Sequence, residues 1–175
     1  LIGALNVAGV SYEAAEHPSF RPGRTARIKL HEKQLGWIGE LHPLVVEQLD
    51  FRTDAPVLAA ELDVDALLRK IKDTIRFDVI SNFPAVREDI AVVVDMTIPA
   101  AEVQDVIEKS GGFLLKDVEL FDVYQGGSVP AGKRSLAYHL TFQSPSKTLK
   151  DKDVKKLRGK IVKQLSGRLG AKLRE

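Results

Sequence analysis

The chain has 175 residues, of which 44% are hydrophobic and 29% are charged, with a formal net charge of +2. This composition is ordinary for a globular protein, and the length allows one large domain or two small ones. No apolar run approaches the roughly 20 residues of a membrane-spanning helix, and the absence of cysteine excludes a disulfide framework and a thiolate zinc site. We therefore expect a cytoplasmic protein without a membrane partner.

The charges are unevenly distributed along the chain. Residues 1–79 carry 10 Lys and Arg against 12 Asp and Glu, whereas residues 80–175 carry 16 against 12. From Ser144 onward the count is 11 against 3. A basic end suggests a polyanionic partner, although a solvated helix face is the commoner explanation of a single charge run.

Residues 1–79 are predicted to form a small antiparallel fragment. Its strands are predicted at residues 27–30, 36–41 and 58–62. A short helix is predicted over residues 44–49, because Pro43 suits a first helical turn, and another over residues 63–72. The unit is too small and too open at Leu1 to hold a complete core, so we expect it to be the end of a domain whose front half is missing.

Residues 80–175 are predicted to follow the order β-α-β-β-α-β, in an α+β fold. In chain order, the elements are a strand at 89–95, a helix at 99–110, strands at 117–124 and 135–143, a long helix, and a strand at 171–174. Gly111 and Gly112 end the first helix, and the spacing of Thr148 and Asp151 predicts a capping box for the second. This is the order of ferredoxin-like folds, whose two helices cover one face of a four-stranded antiparallel sheet.

Strand alternation predicts which side chains lie on the open face of this sheet. Those predicted to point toward the helices are Ile90, Val92, Val94, Phe121, Val123, Leu136, Tyr138, Leu140 and Phe142. Those predicted to point outward are Asp89, Ala91, Val93, Leu120, Asp122, Tyr124, Ser135, Ala137, His139 and Thr141. Such a face can stack one base on Tyr124 and hydrogen-bond its edge through Asp122 and Ser135. A solvated face, on which Tyr124 shields Leu120, is an equal alternative.

The last helix is predicted to be amphipathic, at about 100° per residue. Its apolar arc holds Val154, Leu157, Ile161, Val162, Leu165 and Leu169. The opposite arc holds five lysines, which we call the lysine stripe: Lys152, Lys155, Lys156, Lys160 and Lys163. Such a stripe suits phosphates, with a solvated helix face as the alternative.

The sequence lacks the residue patterns of a catalytic or metal site. The four histidines, His17, His31, His42 and His139, have no metal-site spacing and are interpreted as structural. There is no Walker loop and no G-x-G-x-x-G motif. A nucleophile, a base and oxyanion donors cannot be assembled, so we expect the fragment alone to be non-catalytic and to bind no cofactor or metal.

Several motifs of the second unit together resemble one known family. They are FPAVRED (83–89), FDVYQG (121–126), PAGKRSLAY (130–138) and KTLKD (147–151). Their order and spacing are similar to those of the ferredoxin-fold anticodon-binding domain that closes bacterial phenylalanyl-tRNA synthetase beta subunits. In the first unit, PGRTA (22–26) and GWIGELHP (36–43) resemble the end of the catalytic-like domain of the same subunits. Arg21 stands where that family usually has a histidine.

The resemblance implies roles for particular residues. By motif position, Tyr124 would stack on the first anticodon base of tRNA-Phe, a guanine. Asp122 and Ser135 would hydrogen-bond its edge, and Ala91 would lie beneath the anticodon. The parent enzyme would be a phenylalanine–tRNA ligase made of two alpha and two beta chains. Its alpha subunit would bind ATP, Mg²⁺ and phenylalanine, and its beta subunit would supply tRNA binding, editing and scaffold.

Two interpretations from other functional classes remain open. A ferredoxin-like regulatory module would bind an amino acid or another small molecule at a helix–strand edge, and would not need the lysine stripe. A purely structural docking domain would use the lysines only to solvate its helix. Binding of cognate against non-cognate tRNA distinguishes both from an anticodon-binding domain.

Overall fold

The computed structural model describes residues 7–70 and 81–174. The chain divides into two compact units, Leu1–Phe77 and Asp78–Glu175. The domain boundary predicted between residues 79 and 80 falls outside the described residues, and so do positions 71 and 72 of the helix predicted over residues 63–72. In the two described ranges, no helix is long and apolar enough to cross a membrane.

Four antiparallel strands form the sheet of the first unit. In spatial order they are β1 (Val10–Ala14), β2 (Phe20–Leu30), β3 (Lys33–Leu41) and β4 (Leu58–Leu62). The three predicted strands are confirmed. The sequence carries no signal for β1, because four of its five side chains are exposed and the strand therefore shows no apolar alternation.

Two short helices of the first unit begin at side-chain caps. Helix α1 (Pro43–Gln48) follows His42, whose Nδ1 accepts a hydrogen bond from the Leu44 N–H at 3.2 Å. Helix α2 (Val64–Leu68) follows Asp63, whose carboxylate accepts from the Ala66 N–H at 2.8 Å. Both caps satisfy backbone donors that a helix start leaves free.

The first unit has a small hydrophobic cluster and one buried ionic group. The buried cluster consists of Ile28, Leu30, Leu35 and Leu67. The buried carboxylate of Glu40 accepts hydrogen bonds from Arg21 Nη1 at 2.7 Å and Arg24 Nη1 at 2.8 Å. The bond from Arg21 is the main cause that lowers the pKa of Glu40 below its ordinary value. Arg21 therefore makes a defined contact here, although the resembled family usually has a histidine at this position.

The second unit has the β-α-β-β-α-β order that was predicted. Its elements are β5 (Val86–Asp95), α3 (Ala100–Gly111), β6 (Leu115–Tyr124), β7 (Lys133–Phe142), α4 (Asp151–Leu169) and β8 (Lys172–Leu173). The sheet order is β6-β7-β5-β8, with antiparallel pairing throughout. This confirms the α+β fold class and the ferredoxin-like arrangement.

One hydrophobic core joins one side of this sheet to both helices. The core contains Ile90, Val92, Val94, Leu136, Tyr138, Leu140 and Phe142 from the strands, with Val103, Ile107, Val154, Ile161 and Leu165 from the helices. Leu140 and Phe142 are fully buried, which confirms the predicted alternation of β7. Val123 lies opposite buried Leu136 but is 49% exposed at the end of an edge strand. Since both helices pack on this side, the other side of the sheet is the open face.

A β-bulge in β6 reverses the alternation at two positions. The register passes from Leu120, opposite Tyr138, directly to Asp122, so that Phe121 is an extra residue without a partner on β7. Leu120 therefore packs against the core, whereas Phe121 stacks on His139 on the open face. The predictions that Leu120 faces outward and Phe121 inward are both wrong, because one inserted residue shifts a period-two pattern.

Helix α4 begins later than the predicted capping box. Its N-cap is Lys150, whose backbone N–H donates to the Asp153 carboxylate at 3.3 Å. Asp151 and Asp153 both lie in the first turn, where a negative charge interacts favourably with the helix dipole. The capping box predicted for Thr148 and Asp151 is therefore wrong. The helix starts two residues later, and Asp153 has the role assigned to Asp151.

Candidate nucleic-acid interface

The strand register places four of the predicted site residues in two adjacent rows on the open face. The rows are Tyr124–Ser135–Val93 and Asp122–Ala137–Ala91. Neighbouring rows are about 7 Å apart, since two strand residues separate them at about 3.4 Å each. Tyr124, Asp122, Ser135 and Ala91 therefore form one site, which we call the open-face site.

The ring of Tyr124 is held by contacts from two other parts of the unit. The Arg174 guanidinium carbon lies 4.9 Å from the centre of the Tyr124 ring, in a cation–π contact. Arg174 Nη2 also donates to Ser128 Oγ at 3.2 Å, and its backbone N–H donates to the Ala91 carbonyl at 2.8 Å. Arg174 thus connects the last strand, the β6–β7 loop and the aromatic ring of the open-face site.

The β6–β7 loop requires glycine where it approaches Tyr124. Gly127 has a φ of +57°, and a Cβ at this position would lie 2.5 Å from the Tyr124 hydroxyl oxygen. A larger residue would therefore be strained and would displace the tyrosine. The position of the Tyr124 ring depends on Gly127 as well as on Arg174.

The polar groups of the open-face site differ in depth. Asp122 is exposed and Tyr124 is 40% exposed, whereas Ser135 is only 3% exposed. The Asp122 carboxylate is therefore accessible from solvent, whereas little of the Ser135 side chain is accessible. Ala91 and Ala137 leave a floor without long side chains beside Asp122.

The lysine stripe lies on the opposite side of the second unit from the open-face site. Val154, Ile161 and Leu165 of α4 are buried in the core, so the opposite arc of that helix points away from the sheet. All five lysines are exposed, and none forms an ion pair with another described residue. The structure therefore brings Tyr124 and Asp122 together but separates them from the lysine stripe by the thickness of the sheet and helix layers.

Sequence reasoning missed two residues at the open face, Arg174 and Phe121, and interpreted His139 only as structural. Arg174 reaches Tyr124 from a position 50 residues later in the chain, and no local pattern signals such a contact. The ring of Phe121 stacks on His139 with centroids 3.8 Å apart and an interplanar angle of 11°. His139 Nδ1 also lies 2.7 Å from Asp89 Oδ1. Only the hidden bulge brings Phe121 to this face.

The other histidines have structural contacts where the structure describes them. His42 caps α1, and the His17 ring lies 5.3 Å from Phe20 and 5.0 Å from Trp37. His31 occupies a turn with a φ of +53°. Across residues 7–70 and 81–174, no group of three or more His, Asp or Glu side chains is arranged to hold a metal ion.

Comparison with known proteins agrees with this geometry. Residues 1–64 match a family described as the phenylalanyl tRNA synthetase beta chain CLM domain. The phenylalanine–tRNA ligase beta subunit of Clostridium acetobutylicum is 42% identical over 175 residues. The beta subunits of Moorella thermoacetica and Methylococcus capsulatus are 43% and 41% identical.

These alignments cover 99–100% of this chain but 22% of each relative, so the chain spans about a fifth of the length of the relatives that it matches. Residues 81–174, which contain the open-face site and the lysine stripe, match the ferredoxin-fold anticodon binding domain. This match extends over more than half of the chain, and the fold described above is the one that the family name states. The chain therefore belongs to the ferredoxin-fold anticodon-binding domain family.

Proposed function

We propose that the chain binds the anticodon of tRNA-Phe through the open-face site, as part of a phenylalanine–tRNA ligase beta subunit. The observation that carries this proposal is the register, which places the Tyr124 ring one row from the Asp122 carboxylate on a face without helices. An aromatic platform beside a hydrogen-bond acceptor is the arrangement that reads an unstacked base in single-stranded RNA. The similarity to tRNA ligase subunits supports the same assignment.

The chemistry of the site favours guanine as the base that stacks on Tyr124. The Asp122 carboxylate can accept hydrogen bonds from the N1–H and the exocyclic amine of guanine. Adenine presents a bare acceptor at N1, which a carboxylate would repel. Ser135 would add a hydroxyl contact, and Ala91 would leave room for the adjacent part of the anticodon.

Arg174 prepares the site for stacking. Its guanidinium fixes one side of the Tyr124 ring, so less rotational freedom is lost when a base stacks on the ring. Its positive charge also lies within the site, where it attracts the phosphate backbone next to the bound base.

The lysine stripe would contact phosphates of a different RNA segment from the one at the open-face site. Its five exposed ammonium groups give affinity without sequence preference. Because the stripe lies on the other side of the unit, one short stretch of RNA cannot cover both surfaces. The stripe thus adds general affinity, and the open-face site provides the base recognition.

The wider assignment concerns the parent enzyme. We assign tRNA-Phe as the substrate, and as partner an alpha subunit that binds ATP and Mg²⁺ in a cytoplasmic assembly of two alpha and two beta chains. The fragment would contribute tRNA binding and no catalytic group. The supporting observation is the similarity of the whole chain to beta subunits of phenylalanine–tRNA ligases.

A filter-binding titration tests this function. The chain should bind tRNA-Phe more tightly than a tRNA with a different first anticodon base, at one fixed salt concentration. The Tyr124→Ala variant should bind both tRNAs more weakly, because stacking acts on every base, and the Asp122→Ala variant should lose most of the difference between them. Equal binding of both tRNAs by the unmodified chain would contradict the proposal.

A further inference from the structure

A second aromatic group lies on the open face, apart from Tyr124. Phe121 is 48% exposed and stacks flat on His139, with ring centroids 3.8 Å apart and an interplanar angle of 11°. The imidazole is itself fixed by Asp89, whose Oδ1 lies 2.7 Å from His139 Nδ1. Two stacked rings held by a carboxylate form a rigid platform, which loses little entropy when a third ring is added.

The platform stands beside a recess of about 540 Å³. Its lining residues are Arg87, Glu88, Asp89, Asp117, Glu119, His139 and Thr141, and all of them except Glu88 lie in two adjacent rows of the open face. We call this the lower recess. Its volume is within the range of small-ligand pockets, about 300–1,000 Å³, so a nucleobase fits.

The lower recess is distinct from the open-face site. His139 lies four positions after Ser135 on β7, which corresponds to about 14 Å along the strand at about 3.4 Å per residue. The nearer row of the open-face site, Asp122–Ala137–Ala91, is adjacent to the row of His139, but a base stacked on Tyr124 spans about one row and does not reach His139. A single-stranded loop that places one base on Tyr124 can, however, continue along the same face.

We propose that the Phe121–His139 pair and the lower recess bind a second base of the same RNA loop. This inference rests on the proposed function, because it extends the open-face site along one continuous surface. Stacking on the aromatic pair supplies affinity without regard to base identity. The carboxylates of Asp117 and Glu119 repel phosphate and accept hydrogen bonds from exocyclic amines. The recess therefore takes adenine, cytosine or guanine in preference to uracil, which lacks such an amine.

The test uses the full chain and an anticodon stem-loop with guanine at the first anticodon position. Phe121→Ala should weaken binding about tenfold or more, whereas Phe121→Tyr should bind as the unmodified chain does. Phe113→Ala is the matched control, because Phe113 is 74% exposed and lies in the short 3-10 helix Gly112–Leu114 before β6, outside the paired rows that form the open face. Unchanged thermal unfolding shows that each variant keeps its fold.

A series of stem-loops, each with one loop base replaced by an abasic residue, identifies the base concerned. The loss of affinity caused by Phe121→Ala should vanish when one base other than the first anticodon base is removed. The loss caused by Tyr124→Ala should vanish when the first anticodon base is removed. Exchange of the identified base for uracil should weaken binding to the unmodified chain.

Three results would overturn the inference: full-strength binding by Phe121→Ala, a penalty that survives every abasic replacement, or a penalty that vanishes only with the first anticodon base. Equally tight binding of uracil would contradict the assigned base class. If Tyr124→Ala also binds at full strength, the proposed function itself fails, so the two failures are distinguishable.

Discussion

The two sides of the second unit carry two different kinds of surface. On the open face, Tyr124 is fixed by Arg174 and by the close approach of Gly127, and Asp122 is positioned by the strand register. On the outer side of α4, the lysine stripe consists of exposed side chains without ion-pair partners among the described residues. The side chains of the open face are thus held in defined positions, whereas the lysine stripe offers positive charge on unpaired, exposed side chains.

In the proposed function, this difference separates base recognition from general affinity within one small domain. Base recognition needs groups held to within a fraction of an ångström, which the sheet provides through paired strands. Phosphate attraction acts over about a Debye length, roughly 10 Å at 0.1 M salt, so in the proposed function the exposed lysines would supply it without fixed positions. Substitutions on the two sides should therefore affect different observables.

The largest expected effect comes from removal of the aromatic ring on the open face. Tyr124→Ala should weaken binding of an anticodon stem-loop about tenfold or more, because stacking on an aromatic is worth about 1–3 kcal/mol per base. Tyr124→Phe should bind within about twofold of the unmodified chain if stacking is the main contribution. Isothermal titration calorimetry at fixed salt gives both constants. Equal losses for the two variants would mean that the hydroxyl, and not the ring, carries the interaction.

Substitution of Arg174 should have a smaller effect on the same side. Its contact with Tyr124 is partly exposed, and such cation–π contacts contribute about 0.5–1 kcal/mol. We expect Arg174→Gln to weaken stem-loop binding a few-fold, and Arg174→Lys to restore part of the loss, since lysine keeps the charge but not the planar group. A loss with Arg174→Lys as large as with Arg174→Gln would assign the whole contribution to the planar guanidinium.

On the other side of the unit, the lysine stripe should change the salt dependence rather than the base preference. Each phosphate contact contributes about 0.7 to the log–log slope of affinity against salt for single strands. Lys156→Gln with Lys160→Gln should therefore flatten the slope by up to about 1.4 and leave the preference for guanine unchanged.

Lys109→Gln is the control for this measurement, because Lys109 lies on α3 and is paired with Asp105 at 2.7 Å. Its slope should equal that of the unmodified chain. A double lysine variant with an unaltered slope would show that the stripe is a solvated helix face without RNA contact.

Substitution of Tyr138, on the covered side of the sheet, should have the smallest effect on RNA binding and should change only the stability of the fold. This side chain is fully buried and donates to the Ala100 carbonyl at 3.1 Å, and burial raises its pKa to about 12. Since the folded pKa lies above the ordinary value of about 10, the stabilisation is complete below pH 10 and is lost as the pH rises toward 12. Denaturant unfolding from pH 9 to 12 should show this decrease, and Tyr138→Phe should reduce it.

Much of the second unit could be predicted from its sequence, because local patterns and tertiary structure agree there. The alternation of Leu136, Tyr138, Leu140 and Phe142 marks the covered side of β7 and survives in the structure. The positions of Asp122 and Tyr124 follow from the same rule. The bulge at Phe121 could not be predicted, because an inserted residue leaves no mark in the amino-acid pattern of the strand. It nevertheless moves the side chains that precede it to the opposite face of the sheet.

Other features depend on contacts between distant parts of the chain. The cation–π contact between Arg174 and Tyr124 and the burial of Ser135 follow from how strands pair, and no local pattern contains them. Strand β1 is exposed on four of its five residues and therefore lacks the apolar period that identifies strands. The start of α4 was predicted wrongly for a different reason, since Asp151 and Asp153 are both suited to a first helical turn.

The most direct test of the central claim is the base preference of the Asp122→Ala variant. The measurement compares anticodon stem-loops with guanine or adenine at the first anticodon position, for the unmodified chain and for Asp122→Ala, at one salt concentration. The account predicts that the preference for guanine shrinks about tenfold or more, because a bidentate contact to a base edge discriminates by about 1–3 kcal/mol, while binding of the adenine stem-loop changes little. Ser135→Ala should have a milder effect, since water can replace a hydroxyl. Equal weakening of both stem-loops by Asp122→Ala would contradict base recognition at the open-face site.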